Sequence, residues 1–248
     1  MFGRSITFVL LMCYITVIPA WSDPIAESAR EISEKSQDAL VSVRIVLEVR
    51  KSEMTVERLA TVVDPSGLMV MSLASIDPSS LGLFPSGVDI QVKDITVILP
   101  DKIEIPAKIV LRDTDLDLAL LRPIEKIEQT LVHVALKDGA MPEMLDQVVL
   151  LSKLGSSANY TPLAVPAWIV GIITKPRTWY VLNISPDMSD LGAPVFDTDG
   201  MIVGFVLLKV DVAAQSSPFE MMMRSGGFDI LPVVLPVKEV ADVISRME

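Results

Sequence analysis

The chain has 248 residues, half of them hydrophobic but only 5% aromatic, and a formal net charge of −11 at pH 7. That length and apolar content exclude a disordered protein and fit one large all-β domain or two small sub-domains. The acidic balance and the scarcity of aromatic rings argue against nucleic acid and anionic membrane surfaces as partners, and the abundance of Val, Ile and Leu favours many short strands over long helices.

The first stretch, Met1 to Ser22, carries Arg4 in a short n-region, an apolar run from Ile6 to Pro19, and then Ala20-Trp21-Ser22. This is the pattern of a secretory signal cleaved before Asp23. The alternative is an uncleaved membrane anchor through residues 6–21, because the run approaches the length of a spanning helix. Cys13, the single cysteine, would leave with the signal. The exported chain is then expected to have no disulfide framework and no thiolate metal site, and to reside in the periplasm, the cell envelope or the medium.

From Asp23 to Asp38, Ile25, Ala29 and Ile32 recur at helical spacing, with Asp23 and Pro24 placed as a helix start. Short β-rich runs follow at Leu40–Val49, Leu59–Val63, Leu68–Leu73, Val88–Leu99, Ile103–Leu111 and Leu116–Leu121, separated by turn chemistry such as Asp64-Pro65-Ser66-Gly67. The second half repeats the style at Gln147–Ser152, Val165–Thr174, Thr178–Ile184, Pro194–Phe196, Met201–Val210 and Ile230–Leu235. A last helix is predicted over Val237–Met247, with Val240, Val243 and Ile244 on one face.

One internal echo stands out. Thr61-Val-Val-Asp-Pro-Ser-Gly-Leu-Met-Val resembles Pro194-Val-Phe-Asp-Thr-Asp-Gly-Met-Ile-Val, each reading strand, tight turn with Gly, strand. Their recurrence, read as corresponding places in two β-rich halves, predicts two similar barrels. The boundary is placed near Pro123 to Thr130, giving 23–126 as helix and first barrel and 127–248 as second barrel and final helix.

The order of these segments resembles the HtrA/Deg branch of the trypsin-like proteases over Ile32 to Met247. The family's run G-x-x-L-T-N-N-H-V is matched by Gly67-Leu-Met-Val-Met-Ser-Leu-Ala74-Ser-Ile, its D-x-x-x-D-[IL]-A-[LV]-L by Asp113-Thr-Asp-Leu-Asp117-Leu-Ala-Leu-Leu, and its G-[ND]-S-G-G-P by Ser189-Asp190-Leu191-Gly192-Ala193-Pro194. The hairpin Asp197-Thr-Asp-Gly200-Met-Ile-Val-Gly204 follows at the family's spacing. The resemblance implies an all-β, trypsin/chymotrypsin-like double β-barrel with short N- and C-terminal helices. The chain is expected to end at the terminal helix without a PDZ domain.

The triad mechanism needs a hydroxyl to attack, an imidazole to take its proton and a buried carboxylate to orient the imidazole. The resemblance puts Ala74 at the base position, Leu191 at the nucleophile position and Asp117 at the carboxylate position, so only one role is filled. Asp117 is then expected to serve fold or turn hydrogen bonds, and Asp113 and Asp115 to be exposed turn residues. Ser189 replaces an oxyanion-hole glycine. His133, the only histidine, maps to the link into the second barrel and reads as a half-exposed strand residue. Lys175 and Lys209 have no motif placing them as bases.

What remains is the capacity to hold a peptide along strand edges and cleft loops. The loop Asp211–Gly227 contains Phe219, Met221, Met222 and Met223, which read either as an adaptable apolar contact surface or as a loop packed on its own barrel. The expectation is an exported pseudoprotease that binds a protein or peptide as scaffold or regulator, with no metal or cofactor. The alternatives are a serine endopeptidase using Ser189 or Ser75 with Asp117, and a holdase-like chaperone.

Overall fold

The computed structural model describes residues 23–77, 79, 90–137, 139–210 and 230–247. The apolar run at residues 6–21 and the loop bearing Phe219 and Met221 to Met223 lie outside the described residues. Among the described residues no helix is long and apolar enough to cross a membrane.

Helix α1 (Pro24–Ser36) starts where Asp23 accepts a hydrogen bond from Ile25 N at 3.3 Å, with Pro24 in the first turn, where a missing N–H costs nothing. Six strands then close a barrel: β1 (Leu40–Val49), β2 (Ser52–Val62), β3 (Met69–Ser72), β4 (Ile90–Ile98), β5 (Glu104–Asp113) and β6 (Leu118–Pro123), with the short helix α2 (Leu73–Ile76) after β3. Six more close a second: β7 (Gln147–Lys153), β8 (Pro162–Ile173), β9 (Trp179–Leu182), β10 (Pro194–Asp197), β11 (Ile202–Val210) and β12 (Ile230–Pro236), followed by α3 (Val237–Ser245).

The first barrel closes in the order β1-β2-β3-β6-β5-β4 and the second in the order β10-β11-β12-β9-β8-β7, so the two share one connectivity. This is the double β-barrel with short terminal helices that the resemblance implies. Each predicted β-run coincides with one of these strands, within a few residues at the ends except at β2, which begins seven residues earlier than predicted.

The strand period of two sorts side chains between two cores. Along β6, Ala119 and Leu121 enter the interior of the first barrel with Val41, Val43 and Ile45. Leu118 and Leu120 join a larger cluster that fills the second barrel, receives Ile25, Ala29 and Ile32 of α1, and takes in Val237, Val240 and Val243 of α3. The cluster therefore welds the barrels and both terminal helices together. Burying an aliphatic side chain of this kind is worth ~2 kcal/mol.

The echoed hairpins correct one expectation. Their turns are alike: Gly67 N donates to Asp64 O and Gly200 N to Asp197 O, with the two glycines at φ +94 and +79 and each aspartate Oδ1 accepting a backbone N–H two residues on. Their places differ, however. The first joins the second and third strands of its barrel and the other the fourth and fifth. The likeness reflects shared turn chemistry; across the barrel interface, Thr61 Oγ1 of the first hairpin donates to the oxygen of Gly192, two residues ahead of the second, at 2.8 Å.

His133 also departs from expectation. It is exposed, in the irregular link between β6 and β7, and its Nδ1 lies 3.2 Å from Leu131 O. The neighbouring residue makes the inward contact, Val134 N donating to Val62 O at 2.9 Å.

Candidate functional site

Asp113 prepares the site by folding the chain over itself. Its Oδ1 accepts from Asp115 N and Leu116 N, both at 3.0 Å, which delivers Asp117 to the start of β6 at φ +54. Aspartate tolerates that left-handed backbone better than most side chains. Asp113 itself is half-buried, and Asp115 is exposed.

Asp117 is 1% exposed. Its backbone oxygen accepts from Leu73 N at 2.9 Å, its Oδ1 from Ala74 N at 2.7 Å, and its Oδ2 from Ser72 Oγ at 2.7 Å and from Leu208 N at 2.8 Å. Three elements, β3, α2 and β11, are thus tied to one carboxylate, and β11 belongs to the other barrel. Burial pushes the carboxyl up to about 6, while the bonds from Ser72, Leu208, Ala74 and Leu73 pull the other way.

Ala74 and Leu191 are 2% and 1% exposed and belong to the same apolar cluster. The Leu191 side chain thus packs into the core and does not face solvent. The chain after it is fixed from both sides: Gly192 N donates to Val206 O at 2.8 Å, and Val206 N to Ala193 O at 2.9 Å. Gly192 has φ +94, and a β-carbon there would stand 2.8 Å from Leu59 O, so only glycine allows this approach to β2.

The segment just before is closed by two carboxylates. Asp187 Oδ1 accepts from Ser189 N at 2.6 Å and also from the Ser189 hydroxyl; these bonds hold the Asp187 carboxyl below the usual carboxylate range. Asp190 Oδ2 accepts from Asp187 N at 3.0 Å, and Asp190 Oδ1 accepts from Ser152 Oγ of β7 at 2.7 Å. An oxyanion placed against Ser189 N would meet a carboxylate already seated there.

Residues 62–205, more than half of the chain, match the family model of the trypsin-like peptidase domain. The chain belongs to that family. No curated protein matches it.

Hydrolysis by a trypsin-like peptidase needs a nucleophilic hydroxyl within reach of an imidazole, which in turn leans on a carboxylate. The structure brings Ala74 and Asp117 into direct contact through a backbone amide, with Leu191 in the same cluster as Ala74. Ser189 does not bond to Asp117, since its hydroxyl is given to Asp187. Ser75 is 3% exposed, and among the described residues its Oγ has no hydrogen-bond partner. Among the described residues no group of His, Cys, Asp and Glu is placed to hold a metal ion.

Two residues of this trypsin-like peptidase domain escape the sequence reading: Asp187 and Leu208. Asp187 has a legible signal, the spacing Asp-x-Ser, because Asp64 makes the same pair of bonds with the amide and hydroxyl of Ser66. Leu208 has none. It contributes a backbone N–H, and any residue but proline supplies one.

Proposed function

We propose that this is an exported HtrA-type pseudoprotease, with Ala74, Asp117 and Leu191 at the three triad positions and Ser189 at a lost oxyanion position, acting by binding a protein or peptide as a scaffold or regulatory subunit. The observation that carries the reading is the inward packing of Leu191, 1% exposed, beside a segment whose Ser189 amide is already bonded to Asp187. Both the nucleophile and the anion-stabilising donor are thereby withdrawn from chemistry. Removal of a single triad group already costs several orders of magnitude in rate. Here the base and nucleophile positions are apolar, and the carboxylate is committed to β3, α2 and β11.

The test is a fluorophosphonate probe applied to the purified chain, alongside digestion of unfolded casein. We expect neither labelling nor cleavage, with an active trypsin-like protease labelled in parallel. Covalent labelling mapped to Ser189 or Ser75 would overturn the proposal and favour an unconventional endopeptidase.

A further inference from the structure

The turn that leads into β7 handles apolar side chains in an unusual way. Leu145 has φ +73, a left-handed backbone that is costly for a bulky residue, and yet its side chain is 70% exposed. The strain is not slack in a loose loop. Leu145 N donates to Ile169 O at 2.7 Å, Ile169 N to Asp146 O at 3.0 Å, and Glu143 N to Asp146 Oδ2 at 2.7 Å, so the turn is riveted to β8. Met141 and Met144, just before it, are 83% and 58% exposed. A strained backbone that holds apolar side chains in water gains nothing for the fold and points to contact with another molecule.

Beside the turn runs a groove of about 730 Å³. Met141, Leu145 and Met201 are the large apolar residues along it, Asp146, Asp197 and Asp199 form an acidic rim, and among the described residues no Lys or Arg lines it. Asp146 and Asp197 also accept turn amides, which fixes where their charges stand.

We infer that this groove is a docking site for a basic amphipathic segment of a partner protein, whose apolar side chains lie on the methionines while its Lys or Arg residues face the acidic rim. Methionine adapts to apolar partners of varied shape, and unopposed carboxylates at a rim select cationic ones. The same charges decide against other occupants. A second copy of the chain, at net −11, would set the three carboxylates against their own equivalents across a two-fold interface, and an anionic bilayer would be repelled likewise. The site uses none of the residues around Asp117 and holds whether or not the triad positions are inert, so the labelling experiment does not bear on it.

The probe is a synthetic amphipathic helix of leucine and lysine, with a second peptide carrying glutamate in place of lysine, each followed by fluorescence anisotropy with the full chain. The lysine peptide is expected to bind, and to bind about tenfold more weakly at roughly 300 mM salt than at low salt. Leu145→Gly, which removes the exposed side chain and relieves the backbone, and Asp199→Lys, at an exposed turn position, are each expected to weaken binding about tenfold. The glutamate peptide is expected not to bind. Absence of lysine-peptide binding, equal binding of the two peptides, or indifference to both variants would overturn the inference. So would self-association that Leu145→Gly abolishes in sedimentation, or binding to phosphatidylserine vesicles.

Discussion

Asp117 and Leu145 share a backbone conformation that side chains usually avoid, at φ +54 and +73, and resolve it in opposite directions. Asp117 is buried, and its carboxylate gathers donors from three elements, so that its strain is offset inside the fold. Leu145 is held by backbone hydrogen bonds, and its side chain is mostly exposed. One strained residue has become an internal fastener, while the other remains a cost to the isolated chain. The contrast separates a strained residue that ties the fold together from one whose side chain is left in solvent.

The sharpest way to break the comparison is Asp117→Ala. It strands the amides of Ala74 and Leu208 in the interior and leaves a β-carbon at positive φ without compensation. We expect a loss of about 3–5 kcal/mol in urea unfolding. A loss below about 1 kcal/mol would show that the three-element tie is incidental.

Next in size is a pH effect. With the folded carboxyl of Asp117 at about 6 and the unfolded one near its ordinary value, the folded state keeps a proton that the unfolded state has already lost. This group's contribution therefore favours the folded state at low pH and is lost as pH rises from about 4 through about 6, by on the order of 2 kcal/mol. Asp117→Asn should remove that component, so the difference between the two unfolding curves, followed across this range, should slope. Parallel curves would mean that the hydrogen bonds, and not burial, govern the group.

The smallest expected effect has the opposite sign. Leu145→Gly relieves the left-handed backbone without opening a cavity, and should raise stability by up to about 1 kcal/mol in thermal unfolding. A clear loss would place Leu145 among the residues that hold the fold and collapse the distinction drawn above.

Most of the architecture was legible because aliphatic runs and turn residues mark the strands directly. The exception is the first half of β2. Ser52 to Thr55 are exposed and, Met54 apart, polar, and the β1–β2 turn is made by Arg50 and Lys51 at φ +50 and +68, with no Asn or Gly to announce it. Pairing with β1 over the full ladder, Val49↔Ser52 to Leu40↔Thr61, forms that half as strand.

At the site, the residues brought near one another were legible through the family resemblance, while their bonding was not. Asp117 reads from sequence as a fold or turn residue, but its reach to Leu208 in the other barrel depends on tertiary placement that no local pattern encodes. The Asp187 bond to Ser189 was locally encoded and simply unrecognised.

The position of α1 has a further consequence for how the molecule is assembled. Its apolar face, Ile25, Ala29 and Ile32, packs on β7 and β8, and Ile32 reaches to within 3.7 Å of where a β-carbon on Gly200 would sit. The helix precedes the first barrel in sequence but is buried by the second. During synthesis it must wait for more than a hundred residues to emerge before its partner surface exists. The first barrel can close on local pairings alone, whereas α1, the first helix among the described residues, is among the last elements to be covered, so its packing reports completion of the fold.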